Sequence, residues 1–531
     1  MASSRTEPDH TDKGWPRGVP YIIGNEGCER FSYYGMKAIL FVYLSQLFTA
    51  QGSTGVDAEQ HATAVVHTFV AGVYALPMVG ALIADRLLGK YRTILWLSLF
   101  YCLGHACLAL FEHDFNGFGA GLVLISIGAG GIKPCVSAHV GDQFGRANFG
   151  RVERVYQGFY FIINLGALLS TLIIPWVKTR WGFGVAFALP GVLMGMATFA
   201  FWMGRHVFVH VPPRPGGKLG LLDVLSGALL FASIALPMFG SQLSQGYAAL
   251  AVWERLSLSL FSVVLGLSVF LYRNHLSPDD GFLAVLWFSL REKLAGRAPS
   301  GDLFAAARAR FGEEAAEGPP AVLRMISVFA MVSIFWALFD QNSSSWTAQA
   351  REMDRSFSLL GMQFELLPEQ ISAANPALVM LLVPLMSYAV YPAIEKLGLV
   401  MTPLRRMSAG MFLASLSFVI VALAQARLDA GARVHIGVQL LAFVVLTTAE
   451  VMVSVTGLEF AYTQAPRRMK SLLMGFWLLA VSLGNLLVAL LSRFEKLPRV
   501  QFFWVFAALM LVAAALFALR AAFYRYRTYT Q

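Results

Sequence analysis

Between residues 25 and 40 the chain reads NEGCERFSYYGMKAIL, which sets Glu26, Glu29, Arg30 and Lys37 among residues that otherwise suit the inside of a membrane. At 100° per residue on a helix, these four together with Tyr33 and Tyr34 fall within one arc of about 140°. A charge at the middle of a bilayer costs about 2.5 to 3.5 kcal/mol on insertion scales, so four of them cannot face lipid. They face a wet cavity or one another. Partners sit in other apolar segments: His67 in VVHTFVAGVYALP, Lys133 in GGIKPCVS, Arg324 and Asp340 in RMISVFAMVSIFWALFDQ, and Glu450 in TTAEVMVSVTGLEF. Glu26, Glu29, Asp340 and Glu450 balance Arg30, Lys37, Lys133 and Arg324, which suits a ligand carrying both charges. A carboxyl facing another carboxyl or an apolar wall can hold a proton, whereas one paired with Arg or Lys stays ionised. The chemistry on offer is ion pairing and proton exchange. Ion pairs that only fix helix packing are the plainer alternative. Aromatics at pocket spacing (Tyr33, Tyr34, Tyr74, Trp336, Trp477) and the amides Asn164 and Asn375 share these segments.

The elements that must position these groups are membrane helices. Of 531 residues, 57% are apolar and 14% charged, more hydrocarbon than a water-soluble chain of this length needs to bury. About 20 apolar residues span a bilayer as a helix. Segments of that kind begin near 20, 60, 91, 117, 154, 183, 219, 253, 324, 371, 401, 433, 471 and 498, fourteen in all. Continuously apolar runs such as LVLISIGAG exclude the alternating strands of a membrane barrel. The hydrophilic residues 1 to 18 lack a cleavable apolar core, so the first helix is expected to serve as an uncleaved insertion signal. Lys and Arg in alternate loops fall 27 to 10, with four more inside helices. The positive-inside rule then puts both termini in the cytoplasm, and the net charge of +10 reflects topology and not nucleic-acid binding. Cys28, Cys102, Cys107 and Cys135 lack metal-ligand spacing and read as buried inert thiols.

The chain divides into a tail (1–19), a six-helix bundle (20–210), an inserted helix pair with a cytoplasmic linker (211–323) and a second six-helix bundle (324–531). That is the layout of a two-bundle transporter. In the linker, FLAVLWFSLREKLAG and GDLFAAARARFGEEAAEG place apolar residues at helical spacing and could lie on the bilayer surface or against the bundles. GALIADRLLGKYRTI (80–94) puts Asp85, Arg86, Lys90 and Arg92 around Gly80 and Gly89. It resembles the loop signature of the major facilitator superfamily, which implies an all-α membrane protein of that fold, two six-helix bundles plus two inserted helices.

EGCERFSYYG resembles the Glu-x-x-Glu-Arg-Phe motif of the proton-dependent oligopeptide transporters. GAGGIKPCVSAHVGDQF (128–144) and FYFIINLGALLS (159–170) are similar to that family's helix-four and helix-five signatures, and FWALFDQNSSSWTAQA and SVTGLEFAYTQAP to its animal members. The resemblance implies Arg30 and Lys133 as the peptide-carboxylate site and Glu450 with Asn164 and Asn375 as the amino-terminus site. Tyr33, Tyr34, Tyr74, Trp336, Ser454 and Trp477 are then further substrate contacts. Glu26, Glu29, Asp340 and His67 become the proton-coupling groups. The animal members carry an acid near the position of Ser387, so Arg324 loses that partner here. The expectation is proton-coupled import of di- and tripeptides by a monomer in a bacterial inner membrane, with no cofactor or metal. Uptake of another anion such as nitrate, or peptide sensing without transport, are the alternatives. An intramembrane enzyme lacks a nucleophile or metal-ligand set in the helices.

Overall fold

Backbone N–H and C=O groups have no water to bond inside a bilayer, so long apolar runs satisfy them within helices. The computed structural model follows that rule and describes residues 5–243, 247, 249–297, 302–359, 362–464, 470–494 and 497–524. The first part holds α1 (Val19–Ala50), α2 (Gly55–Ala75), α3 (Pro77–Ile83), α4 (Lys90–Leu110), α5 (Phe115–Gly141) and α6 (Val152–Met203). An inserted pair follows, α7 (Gly217–Leu243) and α8 (Val252–Leu276), then two shorter helices, α9 (Phe282–Leu294) and α10 (Ala305–Phe311). The last part holds α11 (Glu313–Phe339), α12 (Ser345–Glu352), α13 (Ala374–Leu385), α14 (Tyr391–Lys396), α15 (Pro403–Asp429), α16 (Gly437–Glu450), α17 (Thr456–Thr463), α18 (Lys470–Phe494) and α19 (Arg499–Ala522).

Among the described residues, 12 helical stretches are long and apolar enough to cross a membrane. Two features account for the difference from the fourteen segments expected. Four charged residues take α1 out of the apolar class although it runs for 32 residues. The stretch Phe149–His206 is 58 residues long, enough for two crossings, and Gly182 breaks it at φ 83°. That left-handed turn is open to a residue without a Cβ.

Each part has its own core. Phe41, Phe118, Phe187 and Phe201 are fully buried in the first, and Phe335, Trp346, Phe418 and Phe443 in the last. Outward-facing residues such as Leu99 and Leu103 of α4, Leu260 and Phe261 of α8, and Leu516 and Leu519 of α19 leave an apolar surface that only a bilayer would cover. A proline begins α3, and a Cβ on Gly80 would lie 2.2 Å from the Gly130 carbonyl oxygen. That close crossing of α3 and α5 holds Lys133 near α1. Single π turns interrupt two helices, at Met386–Val390 and Val451–Val455, and a third at Ala84–Leu88 ends α3 before Gly89. An antiparallel hairpin unmarked in the sequence pairs Ser356–Leu359 with Met362–Glu365.

The inserted pair is peripheral: 17% of the apolar window of α7 and of α8 is buried, against 56% for α5 and α11. Arg273, near the end of α8, is buried and lies 2.6 Å from Asp223 of α7. Arg86, in the loop after α3, reaches Asp223 at 3.5 Å and Asp279 at 3.7 Å, which ties the pair to the first core. On its other side Phe239 of α7 packs with Ala71 and Ala75 of α2 and Leu486 of α18, an apolar contact that spans both parts. Asp223→Ala would leave Arg273 with the Ser277 carbonyl and, as its one remaining carboxylate among the described residues, Asp279 at 3.8 Å, so we expect a loss of about 3 kcal/mol, the low end for a broken buried pair. Thermal unfolding in detergent checks it; an unchanged midpoint would mean the pair carries no stabilising weight. The linker stretches form α9 and α10, which pack together with the start of α11 through Val285, Phe304, Ala315 and Ala316. The first residue of the second stretch, at 301, and the last two of SVTGLEFAYTQAP, 465–466, lie outside the described residues.

Candidate functional site

Helical spacing stacks Glu26, Glu29, Arg30, Tyr33 and Lys37 along one side of α1, as the sequence pattern required. Arg30 Nε lies 2.7 Å from Glu26 Oε1 and 3.3 Å from Glu29 Oε2, and Lys133 Nζ of α5 lies 3.5 Å from Glu29 Oε1. Both carboxylates are buried. Lys133 stands 4.4 Å above the Tyr33 ring and 5.4 Å from that of Tyr74, and Tyr33 and Tyr34 meet edge to face. Its ammonium makes no hydrogen bond among the described residues, so it is held by charge and ring faces alone. A cation so placed can take a ligand carboxylate without first breaking a hydrogen bond.

Two turns further along α1, Lys37 Nζ lies 2.6 Å from Asp340 Oδ1 at the end of α11. Asp340 Oδ2 accepts from the amide of Asn485 on α18 at 2.7 Å, and Asn485 Oδ1 lies 2.7 Å from His67 Nδ1 on α2. His67 Nε2 meets Ser344 Oγ at 2.8 Å. The sequence reading named His67 and Asp340 but missed Asn485 and Ser344. An amide inside the apolar run of α18, eight residues after Trp477, was the available signal.

The third group lies in the last part. Asn375 Nδ2 donates to Glu450 Oε2 at 2.7 Å and is 3.2 Å from Thr447 Oγ1. Ser454 sits in the π turn that follows Glu450, half-buried. Trp336 and Trp477 meet edge to face at 6.4 Å, and the Trp336 indole nitrogen is buried without a partner among the described residues. Asn164 is not joined to Glu450; its amide donates to Tyr160 O of its own helix at 2.9 Å. Arg324 is not part of any of these clusters. It is half-buried early in α11, sixteen residues before Asp340, and has no ion pair among the described residues, while Ser387 is exposed in its π turn.

Further pairs fasten the first and last parts at the ends of the helices away from the basic loops. Glu59 of α2 takes Arg499 at 2.7 Å and Arg351 at 3.6 Å, Lys178 pairs with Glu369, and Gln370 donates to Leu172 O at 2.9 Å. At the end carrying the basic loops, ion pairs among the described residues stay within one part or reach the inserted pair, as Lys90 with Asp142 and Arg406 with Glu395 do. A groove of about 420 Å³ lined by Ser45, Glu59 and Arg351 lies at the fastened end, apart from the charged cluster.

A polytopic helical bundle with interlocked acids and bases between two helical cores is the arrangement of a membrane carrier. The sequence profile described as the POT family matches residues 91–220 and 286–505, and the chain belongs to that family. It is 32% identical over 441 residues to solute carrier family 15 member 1 of Oryctolagus cuniculus, covering 78% of this chain and 53% of that protein. It is 33% identical over 418 residues to peptide transporter family 1 of Drosophila melanogaster, covering 76% of this chain and 47% of that one. The chain thus spans about half the length of the curated relatives it matches. Among solved structures, an auto inhibited POT family peptide transporter superposes with a TM-score of 0.79 at 36% identity, over 97% of this chain and 99% of that one. The POT family transporter PepTSo gives 0.75 at 37%, over 96% and 98%. The fold is therefore the major facilitator fold of these transporters.

Proposed function

We propose that this protein is a proton-coupled symporter that imports di- and tripeptides by alternating access, as a monomer in the inner membrane with both termini cytoplasmic. The observation that carries the reading is the interlocking of Arg30 and Lys133 with Glu26 and Glu29. A proton arriving in this charged network, on Asp340 or on the Glu26/Glu29 pair, frees a cation, and a peptide carboxylate is the natural replacement. Proton and substrate are coupled because they compete for shared partners. At the other end of the peptide, Glu450 with Asn375 suits an ammonium group. A simple anion such as nitrate leaves Glu450 nothing positive to hold, which favours peptide over the anion alternative. The names of the relatives as peptide transporters support the same substrate. With the basic loops in the cytoplasm, the fastened end faces outward. Opening outward requires the pairs of Glu59, Lys178 and Asp340 to part.

The test is purified protein in liposomes. A peptide gradient should drive proton influx, and unlabelled peptides, but not nitrate, should compete with labelled dipeptide uptake. Competition by nitrate with no effect of peptides would overturn the substrate assignment.

Glu450→Gln should weaken binding of peptides with a free amino terminus by about ten- to a hundredfold, the value of a lost charge-assisted hydrogen bond of roughly 1.5 to 3 kcal/mol. N-acetylated peptides, which bring no ammonium, should change little. Equal losses for both in a binding assay would mean that Glu450 acts through packing.

A further inference from the structure

Asn485 stands between His67 and Asp340, and its amide has a direction. A carboxylate only accepts hydrogen bonds, so the nitrogen of Asn485 faces Asp340 Oδ2 and its oxygen faces His67 Nδ1, both at 2.7 Å. Nδ1 of His67 therefore carries a hydrogen. The same amide nitrogen also donates to Val481 O at 3.0 Å. On the far side of the carboxylate, Lys37 Nζ is 2.6 Å from Oδ1. The ammonium keeps the negative charge on Oδ1, so a proton that reaches Asp340 settles on Oδ2, the oxygen facing Asn485. On the far side of the ring, Nε2 meets Ser344 Oγ at 2.8 Å, a hydroxyl that can donate or accept and has Gln341 O at 3.4 Å as a second acceptor. His67, Ser344 and Asn485 are fully buried and Asp340 is 4% exposed, so bulk water does not stand between them. Asp340 and Lys37 are the charged groups that bear on the ring.

We propose that Asn485 is the positioning residue that makes His67 and Asp340 share one proton, by turning its amide over as the proton changes hands. The proposal deepens the reading of the chain as a proton-coupled carrier and rests on it. With the proton on His67, both ring nitrogens carry hydrogen, the amide oxygen faces the ring, and Asp340 is ionised against Lys37. With the proton on Asp340, its Oδ2–H donates to the amide oxygen, the amide nitrogen donates to a bare Nδ1, and Nε2–H donates to Ser344. Between the two the Nδ1–H bond breaks, the Oδ2–H bond forms, and the amide keeps its two hydrogens after half a turn. The turned amide gives up its bond to Val481 O, which makes the arrangement with ionised Asp340 the resting one. Because α2 belongs to the first part and α11 and α18 to the last, the direction of one amide registers which part holds the proton.

Asp340→Asn should fix the second arrangement, since Lys37 holds the new side-chain oxygen and leaves its nitrogen facing Asn485. Histidine-15N spectra of the protein in lipid, taken as differences from His67→Gln, read the ring directly. We expect hydrogen on Nδ1 in the wild type and a bare Nδ1 with hydrogen on Nε2 in Asp340→Asn; Nδ1 keeping its hydrogen in Asp340→Asn overturns the proposal. In transport, Asn485→Leu should lower proton-driven peptide accumulation by about tenfold or more, the weight of buried charge-assisted hydrogen bonds, and peptide counterflow by no more than a few-fold. Equal losses in both activities, or none in either, overturn it. If Asn485→Leu does not fold, Asn485→Asp keeps the size and sets a second carboxyl against Asp340; two facing carboxyls share a proton, so the pH of half-maximal accumulation should move about one unit or more to the alkaline side. An unmoved profile overturns the relay. Absence of peptide-dependent proton influx in the wild type overturns both readings, whereas a coupled wild type with any of the contrary results above overturns the relay alone.

Discussion

Lys133→Ala should reduce peptide uptake by more than a hundredfold while leaving the protein nearly as stable as the wild type. Its ammonium makes no hydrogen bond among the described residues and is 3.5 Å from Glu29. Arg30 keeps both Glu26 and Glu29 without it, so the buried carboxylates remain paired. The bound peptide carboxylate, in contrast, loses a partner in a secluded site. Truncating one member of a buried charge pair costs about 2 to 5 kcal/mol or more, and its upper range corresponds to well over a hundredfold in affinity. Arg30→Ala is the informative companion, since it strands Glu26 and should lower stability as well as uptake. Labelled dipeptide uptake alongside thermal unfolding separates the two. Wild-type uptake in both variants would remove them from the carboxylate site.

Asp340→Asn is expected to abolish proton-driven accumulation and spare peptide-for-peptide exchange across liposome membranes. The amide reproduces the protonated carboxyl, with Lys37 facing a neutral oxygen as it would in the protonated carrier. A carrier fixed in that form can still bind peptide and alternate between its open sides, and exchange moves no net protons. Accumulation requires the site to load on one side and empty on the other. If Asp340→Asn still concentrates peptide against its gradient at the wild-type rate, the transported proton sits elsewhere, with Glu26 and Glu29 next in line.

The helices and the charged face of α1 were legible because both rest on local periodicity. Apolar runs of bilayer length mark crossings, and four charges at helical spacing mark one face. The break at Gly182 was not legible as such: the sequence shows only two apolar segments, beginning near 154 and 183, and the backbone carries helix up to Gly182 on both sides. The pairing was not legible. Lys37 with Asp340 joins residues 303 positions apart, and His67 with Asn485 joins residues 418 apart, so no sequence window contains both partners. Asn485 was passed over because a single amide in an apolar helix has no periodic company. Arg324 was grouped with the buried charges by its apolar neighbours, but its early place in α11 sets it far from Asp340 at about 1.5 Å of rise per residue. The fastening by Glu59, Arg351 and Arg499 depends on which helix ends meet, and that is a property of the assembled bundle.

The two faces of the inserted pair differ in how they resist motion. Toward the first part the attachment adds ion pairs, Arg86 with Asp223 and Asp279, to the packing of Phe239 on Ala71 and Ala75, and charge pairs of that kind resist separation. Toward the last part it is the side of Phe239 against Leu486, and dispersion contacts between smooth hydrocarbon surfaces can slip with little change in energy. In the proposed cycle that rocks one part against the other, α7 and α8 are therefore expected to travel with the first part and slide over the last. An insertion built this way adds mass and membrane area to one rocking body without adding a third hinge.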